Sequence, residues 1–342
     1  MASKTGLNFA ERIKRLKKIA SDAGCDAVLV EDSLNLYYLT GMELSRGVFA
    51  VKNGAQCLFV DGRYIDACKS AYAGDVAPYG EEVSFFSGCK KIAIDRHAVS
   101  IDAFEGRKCE LPVEAISFEA LRMVKDPNEI ALLKQSADLL REGMDYAKGI
   151  LKVGMTELDA VREFEFFCRK AGASSLSFDP IVAFGKGGAQ PHYKPSDVKL
   201  KDNDVVLFDA GVVWKHYCSD RTRTFVFGTP SEKFLEIDAI VKAAYDAAIA
   251  VTKPGATIGE LNRAARGVIE KAGYGDRFIH GLGHGVGLEV HDFPYMARKE
   301  VHDLKLEVGM VLAIEPGIYL ENDFGIRHEN TIVVTDNGSE IV

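Results

Sequence analysis

Residues 200–211 read LKDNDVVLFDAG, and residues 306–317 read LEVGMVLAIEPG. Laid over one another, Leu200/Leu306, Val205/Val311 and Gly211/Gly317 coincide, and Asp209 falls on Glu315. Each stretch holds an apolar run with the makings of a buried strand, and each run ends on an acid. An earlier pair of segments repeats in the same order. LKVGMTELDAVREFEFFCRKAGA (151–173) lies over TKPGATIGELNRAARGVIEKAGY (252–274) at a constant offset, with Gly154/Gly255, Thr156/Thr257, Lys170/Lys271 and Gly172/Gly273 in common. Both copies read as a loop, a threonine cap and a helix ending at glycine. Two matches in one order predict two related halves packed face to face, with a carboxylate from each meeting at the seam.

Upstream of the repeat, LRMVKDPNEIALLKQSADLLREGMDYAKGIL opens with Asp126, Pro127 and Glu129, a good helix start. Before it, residues 8–23 read as an amphipathic helix with Phe9, Ile13, Leu16, Ile19 and Ala20 on one face and lysines and arginines elsewhere. Short apolar runs follow at Ala27–Val30, Val48–Val51, Cys57–Val60 and Ile92–Ile94, alternating with helix-like stretches such as Arg63–Ala73. That alternation predicts a smaller α/β domain. The expected division is 1–122 and 123–342, with the boundary near residues 119–126.

The chain has 342 residues, enough for two domains, and its 47% hydrophobic and 27% charged residues are ordinary for a globular protein. A net charge of −8 argues against a nucleic-acid partner. Seven cysteines, odd in number and widely spaced with no CxxC pair, read as reduced thiols of a cytoplasmic protein. The opening MASKTGLNFAERIKRLKKIA lacks the apolar core of a signal peptide, and no apolar run is long enough to span a bilayer. No membrane association is expected.

Four acids sit inside or beside apolar strands: Asp209 in VVLFDAGVV, Asp220 in HYCSDRTRTFVF, Glu315 in VLAIEPGIY and Glu329 in FGIRHENTIVV. An unpaired buried carboxylate costs several kcal/mol or takes up a proton. Each has a plain alternative. Asp209 could cap a turn, Asp220 could pair with Arg221 or Arg223, Glu315 could end a strand, and Glu329 could pair with Arg327. Taken together, divalent cations are the economical explanation. The histidine segment FIHGLGHGVGLEVHD (278–292) holds three of the eight histidines within twelve positions. Its glycines argue against a helix. As a strand it would put His280, Leu282, His284, Val286 and Leu288 on one face, and glycines allowing close backbone approach on the other. The alternative is a glycine-rich turn with incidental histidines. His192 stands apart in a loop rich in glycine and proline, FDPIVAFGKGGAQPHYKPSD. Its GKGG lacks phosphate-loop spacing.

With these residues, the chain resembles the pita-bread metallopeptidases, which include methionine aminopeptidases, aminopeptidase P and prolidase. LNLYYLTG (34–41) and FVDGRY (59–64) are similar to the creatinase-type N-terminal domain of the proline-directed members. PHY, DAG with SDRTRT, HGLGHGVGLEVHD, EPGIY and IRHEN follow in family order. The resemblance implies an α/β (α+β) chain whose C-terminal pita-bread domain carries a pseudo-twofold duplication. It implies a metal-ligand set of Asp209, Asp220, His284, Glu315 and Glu329, with Asp220 and Glu329 bridging two ions. It assigns His192 and His291 to the family's catalytic histidines, and Glu315 to the proton acceptor. It puts His280, Arg327 and Tyr319 at the substrate cleft. The reading of Arg327 stays open between orienting substrate or bracing a carboxylate and simply contacting Glu329.

Two divalent ions cancel the charge of four carboxylates. An oxygen-rich set with one imidazole suits Mn²⁺ and accepts Fe²⁺, Co²⁺ or Zn²⁺. Water bridging such a pair ionises near neutral pH to a hydroxide able to attack a peptide carbonyl. The expected activity is removal of an N-terminal residue from peptides with proline in second place. Alternatives are an Xaa-Pro dipeptidase with the same ligands, a metal-free amidinohydrolase of creatinase type, and a non-catalytic binding module, which would have lost ligands. The resemblance also implies a homodimer.

Overall fold

The structure, a computed structural model, describes residues 6–342. Part of the opening stretch read for a leader, residues 1–5, lies outside the described residues. The chain divides into one unit ending at Leu121 and a second, Arg122–Val342.

The first unit is built on one six-stranded sheet. Its strands are β1 (Ala27–Val30), β2 (Val48–Lys52), β3 (Ala55–Val60), β4 (Asp75–Pro78), β5 (Ile92–Asp95) and β6 (Val113–Ile116), in the order β4-β3-β2-β1-β5-β6. The four apolar runs of the sequence are β1, β2, β3 and β5. β1 and β5 are buried at every position. Strands covered on both faces read as continuous apolar runs rather than alternating ones. Helices α1 (Phe9–Asp22), α2 (Ser33–Thr40), α3 (Ile65–Ala71), α4 (Glu82–Phe85) and α5 (Ile101–Glu110) complete the unit. In α1, Ile13, Leu16 and Ala20 are buried as their spacing requires. Arg12 departs from the expectation that the basic residues face water. It is fully buried, with its guanidinium 4.1 Å from the Tyr38 ring centroid and donating to the Tyr38 carbonyl at 2.9 Å. An aromatic face and a carbonyl both stabilise a cation that water does not reach.

The second unit begins with α6 (Pro127–Ile150). Asp126 accepts from the Asn128 and Glu129 N–H groups, and Glu129 accepts from the Asp126 N–H. Two halves follow. The first holds α7 (Glu157–Lys170), β7 (Ser175–Leu176), β8 (Ile181–Phe184), β9 (Val205–Ala210), β10 (Val212–Trp214), β11 (Tyr217–Cys218) and β12 (Arg221–Val226). The second holds α8 (Glu232–Val251), α9 (Ile258–Lys271), β13 (Gly283–Gly285), β14 (Asp292–Tyr295), β15 (Val311–Ile314), β16 (Gly317–Tyr319), β17 (Gly325–Arg327), β18 (Asn330–Thr335) and β19 (Gly338–Ile341).

The aligned segments occupy matching places. Thr156 and Thr257 each close a capping box at the start of α7 and α9. The aligned strands are β9, central in β12-β9-β8, and β15, within β14-β13-β15-β18-β19. Each half has its own core. Leu140, Phe164, Val206 and Phe208 belong to one, and Val241, Leu261, Leu312 and Ile332 to the other.

The strand read over 280–288 is shorter than expected. Only Gly283–Gly285 form β13. Leu282 lies in the second half's core, while His280 and His284 line the central cavity, so the simple alternation fails. The glycines do what was expected of them. A Cβ on Gly283 would collide with the Ala313 carbonyl oxygen, and one on Gly285 with that of Phe293. No helix among the described residues is long and apolar enough to cross a membrane, and all seven cysteines are free thiols.

Candidate metal centre

The topology explains how four acids meet. β9 and β12 are antiparallel neighbours, with Asp209 near the end of one and Asp220 just before the other. β15 and β18 repeat this, with Glu315 just after β15 and Glu329 just before β18. Each half thus brings two carboxylates to one edge of a strand pair, and all four line one cavity of about 630 Å³. That volume is typical of small-molecule and peptide clefts. His192, His280, His284, His291 and Arg327 line it as well.

Asp220, His284 and Glu329 are buried and offer ligand atoms that all lie within 4.8 Å of one another. His284 Nδ1 lies 3.0 Å from the Gly285 carbonyl, which can only accept, so this nitrogen carries the proton. Nε2 then presents its lone pair to the acids, 3.5 Å from Asp220 and 3.9 Å from Glu315. Burial, then neighbouring His291, holds the ring down to about 4, so it is neutral at physiological pH. Burial and the Glu329 charge push Asp220 and Glu315 well above the ordinary carboxylate range. Burial and Asp209 push Glu329 up to about 7. Asp209 Oδ1 is buried with no hydrogen-bond partner. An unprotonated imidazole nitrogen, an orphan carboxylate oxygen and crowded acids are the donor set a divalent cation satisfies. The chemistry of these residues fits a divalent cation.

Arg327 is 4% exposed and lies among them. It pairs with Asp209 at 2.5 Å, not with Glu329. It also donates through Nε to Thr222 Oγ1 at 2.9 Å, and that hydroxyl donates to Glu329 at 2.6 Å. Burial alone would make the guanidinium less basic, but Tyr319, Asp209 and Glu315 around it hold it above its usual value. Bracing a carboxylate is therefore the reading of Arg327 that the geometry favours.

Tyr319 accepts from Arg327 at 2.8 Å and lies 2.9 Å from His280 Nε2. His280 Nδ1 faces the Gly281 carbonyl at 2.7 Å, so Nδ1 is the donor and Nε2 accepts the tyrosine proton. Burial, followed by Arg327, holds His280 down to about 4, consistent with a neutral ring. Tyr319 was expected at the cleft but is buried behind its wall, linking two residues that do line it.

His291 packs edge-on against His284, ring centroids 4.4 Å apart, and burial lowers its basicity. His192 is exposed on the loop after β8. Glu315 does sit at a strand end, just after β15, but among the described residues neither Arg221 nor Arg223 forms an ion pair with Asp220, and Arg327 pairs with Asp209 rather than Glu329. Arg223, a candidate partner of Asp220, instead donates to the Glu329 carbonyl and to Asn330. Thr222 went unnoticed in the sequence. Its only signal is the alternation Asp220, Thr222, Thr224 across β12, and its register partner is Asp209. The apolar lining by Phe178, Pro180, Pro195 and Tyr295 was also missed, because three separate parts of the chain supply it.

Residues 131–336 match the profile of metallopeptidase family M24, and residues 12–124 match the creatinase/prolidase N-terminal domain. The chain belongs to metallopeptidase family M24. A Staphylococcus epidermidis peptidase is 37% identical, over 97% of this chain and 98% of the relative. The Xaa-Pro dipeptidase from Bacillus anthracis superposes with a TM-score of 0.92 at 32% identity, covering 98% of this chain and 97% of that one. An X-Pro aminopeptidase from Thermotoga maritima superposes with a TM-score of 0.86, also at 32% identity, covering 93% and 95%. The Arg122–Val342 unit has the family's duplicated pita-bread architecture, and the preceding unit is its creatinase-type domain.

Proposed function

We propose that this M24 metallopeptidase is an exopeptidase that cleaves the bond between an N-terminal residue and a following proline. One observation carries the reading. All five expected ligands line a single cavity that Phe178, Pro180, Pro195 and Tyr295 also line. Phe178, Pro180, Pro195 and Tyr295 suit a pyrrolidine ring, and the acids suit a pair of cations.

Asp220, His284 and Glu329 would hold metal, joined by Glu315 on one side and Asp209 on the other. Bound there, a divalent pair, with Mn²⁺ preferred by so oxygen-rich a set, supplies Lewis acidity and a water acidic enough to attack near neutral pH. Glu315 is the most open of the acids, its side chain 20% exposed against 6% for Asp220 and 9% for Asp209. It takes the proton released on attack and delivers it to the proline nitrogen as the bond breaks. That nitrogen belongs to a tertiary amide and leaves only once protonated. His192 and His291 donate N–H to the developing oxyanion. Arg327 holds Asp209 in place. Free thiols agree with a cytoplasmic protein, and the family resemblance favours a homodimer.

Relatives named both as dipeptidase and as aminopeptidase leave substrate length to experiment. The reading taken here is the aminopeptidase, with prolidase as the second. After chelation and readdition of Mn²⁺, Co²⁺ or Zn²⁺, Xaa-Pro-Xaa tripeptides should be cleaved before proline, and Glu315→Ala should abolish turnover. Activity confined to Xaa-Pro dipeptides would select the dipeptidase. Inertness toward all proline peptides, with metal bound, would end the proposal.

A further inference from the structure

Glu157 opens α7 and is fully buried, and among the described residues it forms no ion pair. Four donors surround its carboxylate. The Phe184 N–H reaches Oε1 at 2.8 Å. The Tyr193 hydroxyl at 3.0 Å, the Ser196 N–H at 2.9 Å and the Ser196 hydroxyl at 3.0 Å reach Oε2. Phe184 ends β8, and Tyr193 and Ser196 lie across the following loop, which presents His192 to the cavity. The carboxylate ties the start and the middle of that loop to one helix.

The duplication offers an internal comparison. In the alignment of the halves, Glu157 falls on Ile258, likewise the first residue of its helix and fully buried. The helix starts dock on their neighbours through the same backbone contacts. Glu157 N–H donates to the Val198 carbonyl at 3.1 Å, and Ile258 N–H donates to that of Leu304 at 3.0 Å. The packing there is satisfied by an isoleucine, so a buried acid, costly to desolvate, has another reason to be in the first half.

The loops differ in what secures them. The second half's loop carries His291, and it is held by β14 paired to β13 and by Asp292 paired with Arg122 at 3.1 Å and Lys125 at 3.5 Å. The His192 loop has no strand of its own, only the short 3₁₀ turn Gly185–Ala189. On the cavity side, the Pro191 carbonyl accepts from Arg327 at 3.4 Å. On the core side, Tyr193 donates to Glu157. His192 lies between these two anchors.

We infer that Glu157 is a positioning residue, which holds the loop so that the His192 ring meets the substrate carbonyl. The inference rests on the proposed role of His192. A ring displaced by about 1 Å can lose two orders of magnitude in rate. Glu157→Gln, which keeps the shape but turns one acceptor into a donor facing donors, should lower kcat by about ten- to a hundredfold with KM changed by less than about threefold.

A double-mutant cycle and a proteolysis assay test this. In a His192→Ala background, Glu157→Gln should change kcat by less than about threefold, because the two act through one group. An equal loss in both backgrounds overturns the inference. Independently of activity, trypsin should cut the metal-free Glu157→Gln protein after exposed Lys186 several-fold faster than wild type, and Thr257→Ala should show no such increase. Unchanged cleavage also overturns it. If Glu157→Gln does not fold, Ser196→Ala, which removes one donor, reads the same two quantities with smaller effects. If His192→Ala alone leaves kcat intact, the catalytic reading of His192 fails, and faster cleavage in Glu157→Gln would identify a loop clamp without that role.

Discussion

A single buried hydroxyl connects the candidate centre's charges. Thr222 gives its proton to Glu329 and receives one from Arg327, so it lies between a carboxylate and the guanidinium that braces Asp209. Thr222→Val keeps the shape and removes both bonds, leaving two buried polar groups each one partner short. The expected loss is about 1–3 kcal/mol in denaturant unfolding of the metal-free protein, together with weaker metal binding. A variant as stable as wild type, with unchanged metal affinity, would remove Thr222 from the account. The acids themselves stood out in the sequence because each interrupts an apolar run. Thr222 did not, because threonine is common in strands and gives no sign of which face it serves.

Among the elements, the repeated helix starts are the clearest case of local sequence dictating local structure. Thr156 with Asp159 and Thr257 with Glu260 form reciprocal caps, satisfying N–H groups that a helix end leaves open. Thr257→Ala should lower stability by about 1 kcal/mol, read as a drop in Tm, while kcat stays at the wild-type level. A cap variant with unchanged Tm would mean that packing of α9, rather than its cap, holds that end. Where the reading of elements went astray, tertiary contact was the cause. The glycine-rich segment from 280 to 288 keeps only three residues of strand. Ala313 on one side and the β14 backbone on the other crowd it, and the chain bends to send Leu282 to the core and His284 to the cavity. Arg12 is likewise buried where Tyr38, twenty-six residues away, offers a ring and a carbonyl.

For the whole molecule, the centre makes metal-free stability depend on pH. Asp220, Glu315 and Glu329 hold protons in the folded state at pH values where an unfolded chain has released them. The folded state then binds more protons, and stability falls as pH rises through the raised values. His280, His284 and His328, all held down to about 4, act oppositely below the ordinary histidine value, where the unfolded chain takes protons the folded one refuses. The carboxyl effect is therefore read cleanly above about pH 6.5. Chelated protein should lose several degrees of Tm between about pH 6.5 and about pH 8.5. Mn²⁺, which binds the ionised acids, should largely remove that slope. A flat profile without metal would mean that the acids are not crowded as described.

From the sequence alone came the two-part chain, the duplication, the helix caps and the five candidate ligands, because strand period, cap chemistry and misplaced acids are local signals. Which partner Arg327 takes, which histidine nitrogen faces the acids, and which apolar residues line the cavity were decided only by tertiary structure. Those contacts join residues as much as 118 positions apart, such as Arg327 and Asp209. No spacing along a chain encodes a distance that only packing of the two halves sets.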